Sequence, residues 1–214
     1  SLGLSTSYAL SGFIVSQHFN PNFLDNLIYV PVILLGIEEI VEGKRSLKLP
    51  IFLAVSLITN FYTGYMMCLF VALYAFYVVF SKKASLKDYL LKIGRVALFA
   101  MIGVGLAMFW LLPVFGALVE SKASAGSTFE WSSKIVNDLI TFPQKFILGS
   151  FSEKEWGDPK ALPHLFIGSL GLFGLFVFYV KKEISLRSKL SATFVLLILL
   201  VSFNVQGFDQ IWHM

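Results

Sequence analysis

Charge is scarce in this chain. Asp, Glu, Lys and Arg make up 14% of its 214 residues, where soluble domains carry about 25%. With a mean hydropathy of +0.76 and several long uncharged runs, an ordinary soluble domain is excluded. Cysteine is nearly absent as well. Cys68 is the only one, so neither an intrachain disulfide nor a cysteine-based metal site can form. The sequence contains no glycine-rich phosphate cradle, no zinc-ligand spacing and no nucleophile elbow. Its three histidines, His18, His164 and His213, lie far apart, and we expect no metal and no cofactor. The chain does not open on Met and has no basic stretch ahead of residues 2–15, so that apolar segment does not read as a signal peptide. We expect a piece of a longer membrane protein, in which functional residues can lie elsewhere.

What is present is apolar. Hydrophobic residues reach 57%, and 22 are Phe. The composition predicts an all-α fold: one polytopic transmembrane helix bundle over residues 1–214, with about seven spans. The spans are read at residues 2–17, 24–41, 47–59, 61–80, 96–112, 163–180 and 190–205. The run 47–80 is too long for one crossing, which takes about 20 residues, and Asn60 is its one residue suited neither to a helix interior nor to lipid. The stretch Asn60-Phe61-Tyr62-Thr63-Gly64-Tyr65-Met66 is therefore read as a turn between two short crossings. Pro50 falls in the first turn of the earlier one, where proline is tolerated. Ser7 and Ser11 share a face of the first helix. Pro31 and Gly36 predict a short or kinked second span, with Asn22 or Asp25 capping it. Gly103 and Gly105 are expected points of close helix contact, and Pro113 is expected to close its span. Residues 113–162 are read as a long polar connection with a short interfacial helix near residues 132–143, and residues 206–214 as the start of another loop.

The cations set sidedness. Of 17 Lys and Arg, twelve lie in three short loops: Lys44, Arg45 and Lys48; Lys82, Lys83, Lys87, Lys92 and Arg95; Lys181, Lys182, Arg187 and Lys189. Such a distribution belongs to membrane topology rather than to nucleic-acid binding, and places these loops in the cytoplasm. That arrangement requires residues 47–80 to cross twice. Asn60, residues 18–25, the long connection and residues 206–214 then lie outside. In the alternative, residues 47–59 do not span and two basic loops fall on opposite faces.

Polar groups of the outer side are the candidate site. Asp25 is a possible general base or a ligand for an amine or hydroxyl; a helix N-cap or an acid favoured at a helix N-terminus also accounts for it. Asn60 and Tyr62 suit sugar hydroxyls, or a turn and an interfacial aromatic. Asn22 and His164 face the same space, as do Glu120 and Asp209. Lys122, Lys134 and Lys145 can meet a phosphate, or be solvated surface.

Several local patterns, in order, carry a resemblance: Tyr8-Ala9-Leu10-Ser11-Gly12-Phe13; Asn22-Phe23-Leu24-Asp25; Pro31 with Leu34-Leu35-Gly36-Ile37-Glu38; the Asn60–Met66 stretch; Phe109-Trp110-Leu111-Leu112-Pro113; and Leu162-Pro163-His164-Leu165-Phe166-Ile167-Gly168. Together they resemble the bacterial YfhO family of multispanning membrane proteins. The resemblance implies a multi-pass protein of the bacterial cell membrane and a GT-C-type glycosyltransferase. Its donor would be a sugar on polyprenyl phosphate, and its acceptor an envelope polymer such as lipoteichoic acid. It also implies a catalytic acid in a first outer loop ahead of Ser1, so no catalytic residue is assigned in this chain. A transporter or flippase for a lipid-linked substrate is the alternative, and a non-catalytic membrane scaffold a third.

Overall fold

A computed structural model describes residues 2–16, 21–120, 132 and 169–213. Every regular element among them is helical: α1 (Leu2–Ala9), α2 (Gly12–Ser16), a 3-10 turn (Pro21–Phe23), α3 (Asp25–Val41), α4 (Lys48–Thr59), α5 (Phe61–Phe80), α6 (Leu86–Glu120), α7 (Ser169–Val180), α8 (Leu186–Asn204) and α9 (Gln206–His213). Two of them, α5 and α6, are long and apolar enough to cross a membrane; α4 and α7 are apolar but only 12 residues each. The interfacial helix near 132–143, His164, Lys122, Lys134 and Lys145 lie outside the described residues.

The core is built around α4. Half of its residues are buried (Leu49, Pro50, Leu53, Ala54, Ser56 and Leu57), because α3, α5 and α6 all pack on it. Each of those neighbours brings a glycine to the α4 backbone. A Cβ on Gly36 of α3 would stand 2.7 Å from Leu49 N; on Gly64 of α5, 2.8 Å from Leu57 Cα; on Gly103 of α6, 2.8 Å from Pro50 O. Lipid supplies no hydrophobic drive to bring helices together, so close backbone approach of this kind is what holds such a bundle. Gly105, expected to make contact, meets nothing within 4 Å. It sits two residues from Gly103, about 200° around the helix, and faces away from α4.

Other boundaries differ from expectation. The first apolar segment is not one helix: it breaks at Leu10 and Ser11, so Ser7 and Ser11 share no continuous face. Gly12 follows the break, and its flexibility weakens a helix interior. Neither Asn22 nor Asp25 caps α3; Leu24 holds the N-cap position without a side-chain bond, and Asp25 is the first helical residue. Residues 86–92 are helical rather than loop. Ser85 and Asp88 form a reciprocal cap, with Asp88 N donating to Ser85 Oγ at 3.2 Å and Ser85 Oγ donating to Asp88 Oδ2 at 2.7 Å. Pro113 does not end its helix, which runs on to Glu120; a membrane helix tolerates proline where the freed carbonyl finds another partner. Residues 206–213 are helix α9 rather than loop.

Pro31 explains a contact that sequence patterns do not show. Lacking an N–H, it leaves the carbonyl four residues earlier, at Leu27, without its helical donor. The Tyr8 hydroxyl donates to Leu27 O at 2.7 Å, filling that vacancy and fastening α1 to α3. Helix α3 therefore continues through Pro31 and Gly36. At its far end Gly43, with φ of 92°, turns the chain back toward α4 in the conformation glycine favours.

Two predictions follow from these contacts. Gly103→Ala should lower stability by about 1–3 kcal/mol through overpacking, whereas Gly105→Ala should leave it unchanged, both read by thermal unfolding in detergent. Tyr8→Phe should cost about 1 kcal/mol. Paired with Pro31→Ala, which restores the helical donor to Leu27, it should cost nothing, as a double-mutant cycle would show.

Candidate functional site

The three basic loops meet at one end of the bundle. Ser185 Oγ donates to Ser81 O at 3.4 Å, the Tyr77 hydroxyl lies 3.5 Å from Ser188 Oγ, and the Arg95 guanidinium lies 3.6 Å from a Cβ built on Gly43. Lys48 Nζ pairs there with Glu39.

The start of α3, the turn at Asn60 and the start of α5 lie at the opposite end. The turn is extended at Asn60, with φ −149° and ψ 106°. Asn60 N donates to Ser56 O at 3.2 Å, and Asn60 O accepts from Gly64 N at 2.8 Å. Its side chain caps α5, Oδ1 accepting from Thr63 N at 3.1 Å. Beside it stands Asn26, 2% exposed, with Ser56 fully buried. In the amide orientation that satisfies both ends, Asn26 Nδ2 donates to Ser56 O at 3.1 Å and Ser56 Oγ at 2.9 Å. Its Oδ1 accepts from Gly64 N at 3.0 Å and from the Thr63 hydroxyl. One amide thus ties α3 to the end of α4 and the start of α5.

Helix lengths place this turn below the end of the bundle. Gly103 touches Pro50 and packs close to Leu53. From there to Asn60 is seven to ten residues along α4, about 10–15 Å at helical rise. From Gly103, α6 runs another 17 residues, about 25 Å. Helix α6 therefore outruns the turn by about 10 Å or more. It carries no charge between Arg95 and Glu120, a stretch of about 36 Å, enough to cross a hydrocarbon layer of about 30 Å. At the turn itself the side chains of Asn60 and Asn26 supply hydrogen-bond partners, Asn60 to Thr63 N and Asn26 to Ser56 and Gly64.

Of the residues singled out in the sequence, the structure brings Asp25, Asn60 and Tyr62 to this end. Asp25, partly buried, opens α3 next to Asn26, and Tyr62, partly buried, lies in the first turn of α5. Asn22 lies in the 3-10 turn leading into α3. On α5 the Tyr65 hydroxyl donates to Ile211 O at 2.9 Å, drawing α9 to the same end, and Gly207 N donates to Ser132 O at 2.9 Å. Sequence inspection missed Asn26, Ser56 and Thr63. The only available signals were the adjacency of Asn26 to Asp25 and the four-residue interval from Ser56 to Asn60.

Asn26→Leu should destabilise the protein by about 1–3 kcal/mol, because the buried Ser56 hydroxyl loses its Asn26 partner and Ser56 O and Gly64 N each lose a second bond. Asn60→Ala should cost about 1 kcal/mol as a lost cap. Thermal unfolding in detergent checks both, and the larger loss should belong to Asn26.

Neither the curated proteins nor the solved structures give a significant match to the chain. The family model described as bacterial membrane protein YfhO matches residues 1–214. With that match over its whole length, and with helices apolar enough to cross a bilayer, the chain belongs to the YfhO family of bacterial membrane proteins.

Proposed function

We propose that the protein is a GT-C-type glycosyltransferase that moves a sugar from a polyprenyl-phosphate donor to a lipoteichoic-acid-like envelope polymer outside the cell. Seven spans are proposed for this chain, with the basic loops in the cytoplasm and the Asn60 end outside. The observation that supports the reading best is the hydrogen-bonded polar turn at Asn60, at the end opposite the basic loops. A lipid-linked donor keeps its apolar chain in the bilayer and its sugar at the boundary. A polar floor sunk into an apolar layer suits both parts. Asn22, Asp25, Asn60, Tyr62 and His164 are the proposed contacts for sugar hydroxyls, and none of them is proposed as the catalytic acid. The flippase alternative loses its main support in the continuity of α3 through Pro31 and Gly36, since transporter sites favour unwound helices.

Deleting the gene should remove the sugar from the polymer. The full-length protein in liposomes should transfer sugar from donor supplied on the outer side alone; failure to do so with intact protein would favour the flippase. Asp25→Asn and Tyr62→Phe should each lower transfer about tenfold, the scale of one lost hydrogen bond to the sugar. Unchanged transfer would remove that residue from the site.

A further inference from the structure

The basic end has more cations than it uses. Five acids lie there: Glu38, Glu39, Glu42, Asp88 and Glu183. Each already has an internal partner. Glu38 accepts from the Tyr74 hydroxyl at 2.7 Å, and Asp88 is held by Ser85. Glu39 pairs with Lys48, Glu42 with Lys44 at 2.9 Å, and Glu183 with Lys181 at 2.7 Å. Three of twelve cations are engaged in this way. Among the described residues, Lys82, Lys83, Lys182 and Arg187 make no ion pair, and all four are exposed.

Their loops are fixed. The Tyr89 hydroxyl donates to Lys82 O and accepts from Ala84 N, both at 3.0 Å, which holds residues 81–85 against the start of α6. The Ser185–Ser81 bond joins the neighbouring loop, residues 181–185, to it. Beside the cations stand apolar side chains that water would not favour: Leu86 is 74% exposed and Leu186 71%. Exposed leucines flanking lysine match a surface that meets headgroups and acyl chains together. They do not match a site for a free anion in water.

We infer that the joined loops 81–85 and 181–185 bind the headgroups of anionic phospholipids. Lys82, Lys83, Lys182 and Arg187 meet the phosphates, and Leu86 and Leu186 enter the acyl layer. Each cation at an anionic surface strengthens association about fivefold, so four together give a marked preference over a zwitterionic lipid.

Native mass spectrometry of the full-length protein, released from mixed micelles of phosphatidylglycerol and phosphatidylcholine, tests the inference. The wild type should retain phosphatidylglycerol at least about fivefold over phosphatidylcholine. That preference should fall as ionic strength rises from about 0.1 M to about 1 M, where the Debye length shrinks from about 10 Å to about 3 Å. Changing all four cations to Gln should abolish it. Equal retention of the two lipids by the wild type overturns the inference without any variant. So does a preference that survives in the variant, or one that inorganic phosphate removes as effectively as salt-matched chloride does not.

Discussion

Backbone contact between α4 and its three neighbours is the constraint on which the bundle depends. Gly36, Gly64 and Gly103 come from three different helices, and each stands where a methyl group would collide with α4. A 12-residue helix has too little surface to be held by side-chain interdigitation alone. Removing the side chain on the partner side brings the axes together and lets Ile33, Ile37, Leu53, Leu57, Met67, Val71 and Ala107 close into one buried cluster. The shortness of α4 then fixes where its C-terminus, and with it the Asn60 turn, lies along α6.

The polar residues of this turn satisfy one another. Ser56 O and Gly64 N already pair with the backbone of Asn60, and the buried Asn26 amide adds a second bond to each while donating to Ser56 Oγ. The same economy appears at Pro31, where the missing donor is replaced by the Tyr8 hydroxyl from another helix. These bonds keep α1, α3, α4 and α5 in register, while Tyr65 draws α9 to the same end. At the end away from the basic loops, Asn26, Ser56, Asn60 and Thr63 therefore form one hydrogen-bonded polar cluster among the described residues.

Much of this organisation was legible in the sequence. Asn60 divides the long apolar run into helices that end and begin within a residue of the expected positions, because an extended, capping asparagine interrupts a helix wherever it falls. The lysine distribution correctly grouped three loops at one end. Gly103 was identifiable as a contact, but Gly105 could not be told from it, since helix phase against a neighbour depends on packing. Pro113 failed as a terminator because a membrane helix tolerates proline where neighbouring groups satisfy the freed carbonyl. Tyr8 and Asn26 were invisible as partners because each bonds to groups on another segment, and no local pattern records that pairing.

The most direct measurement is the sidedness and depth of a single label at position 60, introduced as Asn60→Cys with Cys68→Ser. Small thiol reagents should reach it only from the face opposite the basic loops, and the label should lie about 10 Å inside the hydrocarbon boundary. Labelling from the basic face, or a label at headgroup level, would contradict that placement.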